Sequence, residues 1–288
     1  MNVFIYCQFV RKEDTAHVKA LIAQLKDQKL NFSFNEGYPE QAGITSVQTW
    51  KGYEDLVKQK PDFLITLGGD GTILKALTYV RDSGVPLLGI NLGRLGFLAS
   101  TEKKLIADAV HFLVNGMFDI EHRSLIRLDS SQPLFGETPF ALNDFTLLKR
   151  DNSSMITIHT YINGDYLNSY YADGLIVATP TGSTGYSLSC GGPILFPQSQ
   201  NLIITPVAPH NLNVRPVVIP DDVVLSFEVE GRAENFLCTL DSRYEVITAE
   251  HQLAIRKESF NIRLIRLQTS GFLKTLREKL NWGIDKRN

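Results

Sequence analysis

In the first 115 residues, short uncharged apolar runs take turns with stretches whose apolar positions recur at helical spacing. Val3 to Cys7 reads as a strand, Val18, Leu21, Ile22 and Leu25 share one helix face, and Leu30 to Phe34 forms a second strand. Residues 35–50 carry Gly37, Pro39 and Gly43 without a clear period and read as a mobile loop. Tyr53, Leu56 and Val57 mark a short helix before the run Phe63 to Leu67, which has no charge and suits a strand covered on both faces. A helix is predicted from about Thr72, then a turn at Ser83–Pro86 and a strand from Leu87 to Ile90. A further helix carries Ile106, Ala109, Val110 and Leu113 and stops at Asn115-Gly116. Strands alternating with helices predict βαβ units and a mostly parallel sheet, with ligands beyond the carboxyl ends of the strands.

Near residue 120 the pattern changes and strands follow one another: around Ile126, at Asp144–Leu148, Ile156–Ile162, Tyr166–Tyr171 and Leu175–Ala178, and several after 200. Ile156, Ile158, Thr160 and Ile162 alternate with period two, and Asn163-Gly164-Asp165 is a hairpin turn. Phe272, Leu273, Leu276 and Leu280 then form an apolar helical stripe expected to pack back onto the first domain. The predicted fold class is therefore α/β: a Rossmann-like N-terminal α/β domain, residues 1–120, joined by a C-terminal helix of about 270–288, with a β-rich domain over 121–269.

Composition narrows the functional classes. A chain of 288 residues with 43% hydrophobic and 21% charged residues is ordinary for a globular protein, and a net charge of −2 argues against general nucleic-acid binding. Cys7, Cys190 and Cys238 show no CxxC spacing and the six histidines no paired-ligand spacing, which fits a reducing compartment without a zinc site. The opening Met1-Asn-Val-Phe-Ile-Tyr-Cys-Gln lacks a basic flank and a long apolar core, and no apolar run reaches the ~20 residues of a membrane span. A cytoplasmic protein acting without membrane or nucleic acid is expected.

Three stretches carry candidate chemistry. Gly68-Gly69-Asp70-Gly71 ends the apolar run Phe63 to Leu67; its glycines let backbone amides approach an anion at a helix start, around one carboxylate. A tight turn with a solvated aspartate is the plainer reading of those four residues. Asn91-Leu-Gly93-Arg94-Leu-Gly96-Phe97-Leu98 is a second glycine-bearing loop at the end of the next strand. In the β-rich part, Asn143-Asp144 opens an apolar strand, either as a turn or as a donor and acceptor pair for ribose hydroxyls or a base edge. Asp173-Gly174 leads through a strand into Thr179-Pro-Thr-Gly-Ser-Thr-Gly-Tyr-Ser-Leu-Ser-Cys-Gly-Gly-Pro193, where hydroxyls, glycines and Tyr186 suit a nucleotide surface. Neither GxxxxGK[ST] nor a GxGxxG after the first strand is present, which argues against a P-loop enzyme and an ordinary Rossmann dehydrogenase.

On these residues the chain resembles the NAD kinase family, bacterial type, over almost its whole length. The resemblance implies the fold shared by NAD kinases and diacylglycerol kinases, and transfer of the γ-phosphoryl group of ATP to the 2′-hydroxyl of the adenosine ribose of NAD. It implies Asp70 as catalytic base, with Gly71 near the phosphates and Mg²⁺ or another divalent cation accompanying ATP, its protein ligands unassigned. Lys75, one helical turn on, either adds positive charge there or is a plain solvent-exposed lysine. Asn143 and Asp144 are implied contacts of ribose and adenine, Asp173 of the nicotinamide carboxamide, and Thr184, Gly185, Tyr186, Ser187, Leu188 and Ser189 of the adenosine half. Ala208, through its backbone, and Arg243 complete the implied dinucleotide contacts. The family usually has Asn-Glu at 143–144, Ala at 185, Arg at 171 and Gly at 242; this chain has Asp144, Gly185, Tyr171 and Ser242. A homo-oligomer, dimer or tetramer, is implied as well. A lipid kinase sharing the first motif and a non-catalytic NAD sensor are the rival readings; the charge without a basic cluster argues against the first, and Asp70 in full motif context against the second.

Overall fold

The computed structural model describes residues 1–9, 11–45, 47–150, 155–267 and 271–283. It divides into two compact units, residues 1–122 with 262 onward, and residues 123–261. The last five residues of the predicted C-terminal segment, 284–288, and its first, 270, lie outside the described residues.

The first unit runs β1 (Asn2–Tyr6), α1 (Thr15–Asp27), β2 (Asn31–Asn35), α2 (Tyr38–Gln41), β3 (Gln48–Trp50), α3 (Tyr53–Gln59), β4 (Phe63–Leu67), α4 (Asp70–Val80), β5 (Leu87–Asn91), β6 (Thr101–Glu102) and α5 (Ile106–Val114). Its sheet is parallel in the order β3-β2-β1-β4-β5. Every residue of β4 and β5 is buried, as uncharged runs between helices require. The α1 face Val18, Leu21 and Leu25 and the α5 face Ile106, Ala109, Val110 and Leu113 share one core with Ile5, Ile65 and Leu88.

The described residues of 35–50 are not all loop, contrary to what their composition predicts. They hold α2 and the edge strand β3, whose Trp50 is fully buried, stacks on Phe4 at 5.3 Å and donates its indole N–H to the Ile5 carbonyl at 3.2 Å. Three residues are too few to display a period, and one anchoring aromatic orders the segment instead. The helix predicted from Thr72 starts at Asp70, which moves the carboxylate from a loop onto the first helical turn.

In the second unit, β7 (Phe118–Ser130, entering from the first unit), β8 (Phe140–Ala141), β9 (Asp144–Lys149), β10 (Ile156–Ile162), β11 (Asp165–Ala172), β12 (Gly174–Ala178), the one-turn α6 (Tyr186–Ser189), β13 (Asn201–Val207), β14 (Val217–Pro220), β15 (Leu225–Glu230), β16 (Phe236–Leu240), β17 (Arg243–Ile247) and β18 (Leu253–Leu267) follow in order. One antiparallel sheet has the order β14-β13-β12-β9-β16-β17. Facing it are β11-β10-β15 and the first part of β18. Phe145, Leu175, Val177 and Phe236 from one sheet meet Ile158, Phe227 and Ile255 from the other in a shared core. The opposite face of β12 and β13 presents Ile176, Ala178 and Ile203 to Cys190 and Leu195. That apolar face anchors the hydroxyl-rich stretch after β12.

The final part of β18 belongs to the first unit, where Leu264 pairs with Leu87 of β5. It leads to α7 (Phe272–Leu280), whose Phe272 ring lies 6.4 Å from Phe97. Of the predicted apolar stripe, Leu276 is buried but Leu273 is 52% exposed. Among the described residues no helix is long and apolar enough to cross a membrane.

Candidate active site

β4 delivers the chain to the turn Gly68–Gly71. Gly68 has φ +150°, and a Cβ there would stand 2.1 Å from Thr72 Oγ1, so the turn closes only with glycine. Asp70, the first residue of α4, points its carboxylate at the loop after β5. Phe97 N–H donates to Oδ2 at 2.9 Å, while Leu98 and Ala99 N–H donate to Oδ1 at 3.1 and 2.9 Å. Three of the roughly four lone-pair directions of a carboxylate are thereby filled, leaving one, on Oδ2. A Cβ on Gly96 would come within 1.9 Å of Asp70 Oδ1, so this seat exists only because position 96 has no side chain. Asn91 shapes the same loop, donating from Nδ2 to the carbonyls of Arg94 and Ala99 and accepting from Gly93 N–H at 2.7 Å.

With its carboxylate turned to the loop, the start of α4 presents its own amides. Among the described residues the N–H groups of Gly69, Asp70 and Gly71 donate to no backbone carbonyl, whereas Thr72 N–H is bonded to Gly69 O at 2.9 Å. Of these three residues Gly69 lines a hollow of about 220 Å³, together with Gly68, Thr72, Arg11 and Arg94, with Phe9 at its side. Asp14 also lines it, but is paired with Lys103 at 2.9 Å. Backbone donors, a helix N-terminus and two guanidiniums make this an anion seat. Lys75 is exposed on α4 and is not among the lining residues. A larger hollow, about 600 Å³, lies at the opposite ends of the same strands. Its acids are already engaged, Asp82 with the Tyr53 hydroxyl at 2.6 Å and Asp62 with Asn2 N–H at 2.7 Å, and the chemistry points to the smaller one.

In the second unit, Asn143 and Asp144 stand where the chain enters β9. Neither side chain makes a hydrogen bond among the described residues, and Asp144 is only 8% exposed. Burial, and then the charge of Asp241, pushes the Asp144 carboxyl up to about 7. The hydroxyl-rich stretch packs against this pair: Thr179 N–H donates to Asn143 O at 2.9 Å and its hydroxyl to Leu142 O, while a Cβ on Gly182 would be 2.0 Å from Asn143 O. Several hydroxyls of the stretch are scaffold. Ser187 is fully buried and shares a hydrogen with Thr205 at 2.8 Å, and Ser183 accepts Leu195 N–H at 3.0 Å and donates to Pro180 O at 2.7 Å. The exposed members are Gly185, Tyr186 and Ser189, with Thr184 and Leu188 half-buried. Burial raises the Tyr186 phenol, as do the charges of Cys190, Asp144 and Asp173, so its O–H is a donor at neutral pH. Those same charges bring Asp144, Asp173 and Tyr186 into one electrostatic neighbourhood.

Asp173, between β11 and β12, forms an ion pair with Lys149 at 2.7 Å, a partner that strand patterning does not reveal. Ala208 has φ +45°, a left-handed conformation that a non-glycine residue rarely holds, and it leads into His210, whose ring packs on Tyr171 at 5.7 Å. Arg243 is turned inward. Nη1 donates to the Thr138 carbonyl at 2.5 Å and hydroxyl at 2.8 Å, and Nη2 to the Phe140 carbonyl. The guanidinium also lies over the rings of Phe135 and Phe140 at 5.6 and 5.8 Å. Sequence reasoning missed Arg11, Arg94, Gly96, Lys149 and Asp241; Gly96 and Arg94 lay inside a quoted motif, while the others carry no local signal. Among the described residues no three His, Cys, Asp or Glu side chains cluster as a metal site.

Two family models match the chain, the ATP-NAD kinase N-terminal domain over residues 7–118 and the ATP-NAD kinase C-terminal domain over residues 142–267. The chain is 48% identical over 284 residues to an NAD kinase of Cytophaga hutchinsonii, covering 96% of this chain and 97% of that protein. It is 45% identical to an NAD kinase of Flavobacterium psychrophilum over the full length of both. Among solved structures it is similar to yeast NADH kinase complexed with NADH, with a TM-score of 0.87, 22% identity, and coverage of 99% of this chain and 88% of that one. An NAD kinase from Archaeoglobus fulgidus in complex with ATP gives a TM-score of 0.76 at 24% identity, over 98% of each chain.

Proposed function

The chain belongs to the NAD kinase family, and from that premise we propose that it transfers the γ-phosphoryl group of ATP to the 2′-hydroxyl of the adenosine ribose of NAD, giving NADP and ADP. The observation that carries the assignment of roles is the Asp70 carboxylate, held by three amides with one acceptor direction open. That direction takes the hydrogen of the 2′-hydroxyl. A carboxylate is far weaker a base than an alkoxide, so Asp70 orients the hydroxyl first and receives the proton late, as the bond to phosphorus forms. A loose phosphoryl-transfer transition state needs mainly this alignment and stabilisation of the equatorial oxygens. The free amides of Gly69 to Gly71, with Arg11 and Arg94, are suited to the phosphates of ATP. ATP brings its own divalent cation, Mg²⁺, as part of the substrate.

In the second unit, the uncommitted side chains of Asn143 and Asp144 receive the ribose and adenine, and Tyr186 and Ser189 line the adenosine half. Asp173, with Lys149, serves the carboxamide end, and the strained backbone at Ala208 turns a peptide group toward the dinucleotide. A reducing, cytoplasmic setting fits three cysteines that are all free. A homo-oligomer is supported by Leu212, Val217 and Val218, exposed at 85, 37 and 43% on and before the edge strand β14. Sedimentation or light scattering tests it, and a monomer at working concentration would remove it.

Incubation of the purified protein with NAD, ATP and Mg²⁺, followed by assay of NADP, tests the reaction. NADP formation is expected. Tight NAD binding without NADP would leave a sensor, and phosphorylation of a lipid in place of NAD would leave a lipid kinase.

A further inference from the structure

The turn Asp241-Ser242-Arg243, which joins β16 to β17, grips the segment 138–144 with opposite chemistries on its two sides. Asp241 has φ +54°, a left-handed conformation, and its N–H donates to Asp144 O at 2.9 Å. Its carboxylate accepts three successive amides: Leu142 N–H on Oδ2 at 3.0 Å, and Asn143 and Asp144 N–H on Oδ1 at 2.7 and 3.3 Å. Arg243 supplies the donors, to the carbonyls of Thr138 and Phe140. Acceptor and donor together fix the backbone before and through the two residues whose side chains remain uncommitted.

We propose that Asp241 and Arg243 are positioning residues for the nucleotide-recognising pair Asn143 and Asp144, and that they touch no substrate atom. The inference rests on the reading that this pair receives NAD. It assigns Arg243 a task different from the substrate contact that resemblance implies, because its Nη atoms are spent on backbone carbonyls. It also makes Asp241 the neighbour whose charge adds to burial in raising the Asp144 carboxyl. Both carboxyls are raised, each mainly by burial. The three amide donors and Arg243 act against the rise at Asp241 and favour its charged form, whereas Asp144 has no such donors. The other group that faces Asp144 is the Tyr186 phenol from α6, which is neutral at working pH.

Steady-state kinetics across pH 6 to 8.5 on the full chain test this. In the parent, KM for NAD should fall as pH rises through about 7, when Asp144 becomes an acceptor. Asp241→Asn should raise KM for NAD about tenfold or more at pH 8, leave KM for ATP within about twofold, and move the pH inflection downward. In an Asp144→Asn background the same change should raise KM for NAD by clearly less than in the parent and leave no pH inflection to move, since one of the two residues it acts through is gone and only Asn143 remains. A folded Asp241→Asn protein with parental KM and inflection, or one whose effect adds fully to that of Asp144→Asn, would overturn the proposal. If Asp241→Asn loses its fold by circular dichroism, Arg243→Lys decides. Keeping the charge but not the forked grip, it should raise KM for NAD with the inflection in place, and a parental KM would reject the positioning role. A parent that made no NADP would remove the functional reading itself, whereas an active parent with indifferent variants removes this inference alone.

Discussion

Asp70 and Asp241 perform the same backbone task in different units: each carboxylate accepts three successive amides of a loop, 97–99 in one case and 142–144 in the other. Their surroundings separate them. Asp70 begins a helix, is half-exposed, and keeps one acceptor direction open, with the donor-rimmed hollow beside its neighbour Gly69. Asp241 sits in a left-handed turn, beside Arg243 and a second carboxylate, Asp144. On the function proposed above, the clamping residue in the first place is itself the chemical group, and in the second it holds still the residues that do the recognising. On that reading the same motif serves catalysis or specificity according to whether the clamp or the clamped segment faces the substrate.

The contrast can be broken most severely at Asp70. Asp70→Asn should lower kcat by about a thousandfold or more, with KM for NAD within a few-fold, because the open acceptor is lost while the second unit is untouched. Near-normal turnover would end its assignment as the proton acceptor. Gly96→Ala comes next. It leaves the carboxylate in place chemically but drives a methyl into its seat, and a fall in kcat of about a hundredfold with unchanged circular dichroism is expected. Full activity in that variant would mean that the three-amide seat is dispensable.

Asp144→Asn sharpens the other side. The folded carboxyl titrates near 7 rather than at its ordinary value of 3.8, so its contribution to stability is fully present below pH 3.8 and is lost as pH rises through about 7. A permanently neutral asparagine escapes that loss. The variant should melt roughly 5 °C above the parent at pH 8.5 and level with it near pH 4. A difference independent of pH would show that no buried charge is involved. The smallest effect belongs to Lys75→Ala. An exposed lysine away from the hollow should change KM for ATP by less than about threefold, and a tenfold rise would return it to the phosphate site.

How much of this was legible in the sequence depended on chain distance. The strand Phe63–Leu67 and the turn after it declared themselves because burial, glycine and helix start are consecutive residues. The loop after β5 stood out by its glycines, although nothing in the string says that Gly96 makes room for Asp70, and the partners of that carboxylate lie 27 to 29 residues away. Asp241 reaches back 97 to 99 residues, so its clamp is invisible to any local pattern. Ser187 and Arg243 show the converse: residue types suited to a ligand, placed by resemblance in a nucleotide site, whose polar groups folding commits to the protein itself. Trp50 eluded periodicity because a three-residue edge strand is defined by its pairing with β2, register Asn35 to Trp50, and not by any repeat of its own.

The strand β18 begins in one unit and ends in the other, and this sets an order on biosynthesis. Residues 123–261 are contiguous, but the first unit lacks Leu264, Ile265 and Leu267 until all of them have been made. At ordinary elongation rates its nascent β5 edge waits on the order of ten seconds without that neighbour. During that interval the start of a strand that is fully buried in the finished sheet, around Leu87, is an open template for wrong pairing, and a stalled or truncated message would release it in that state.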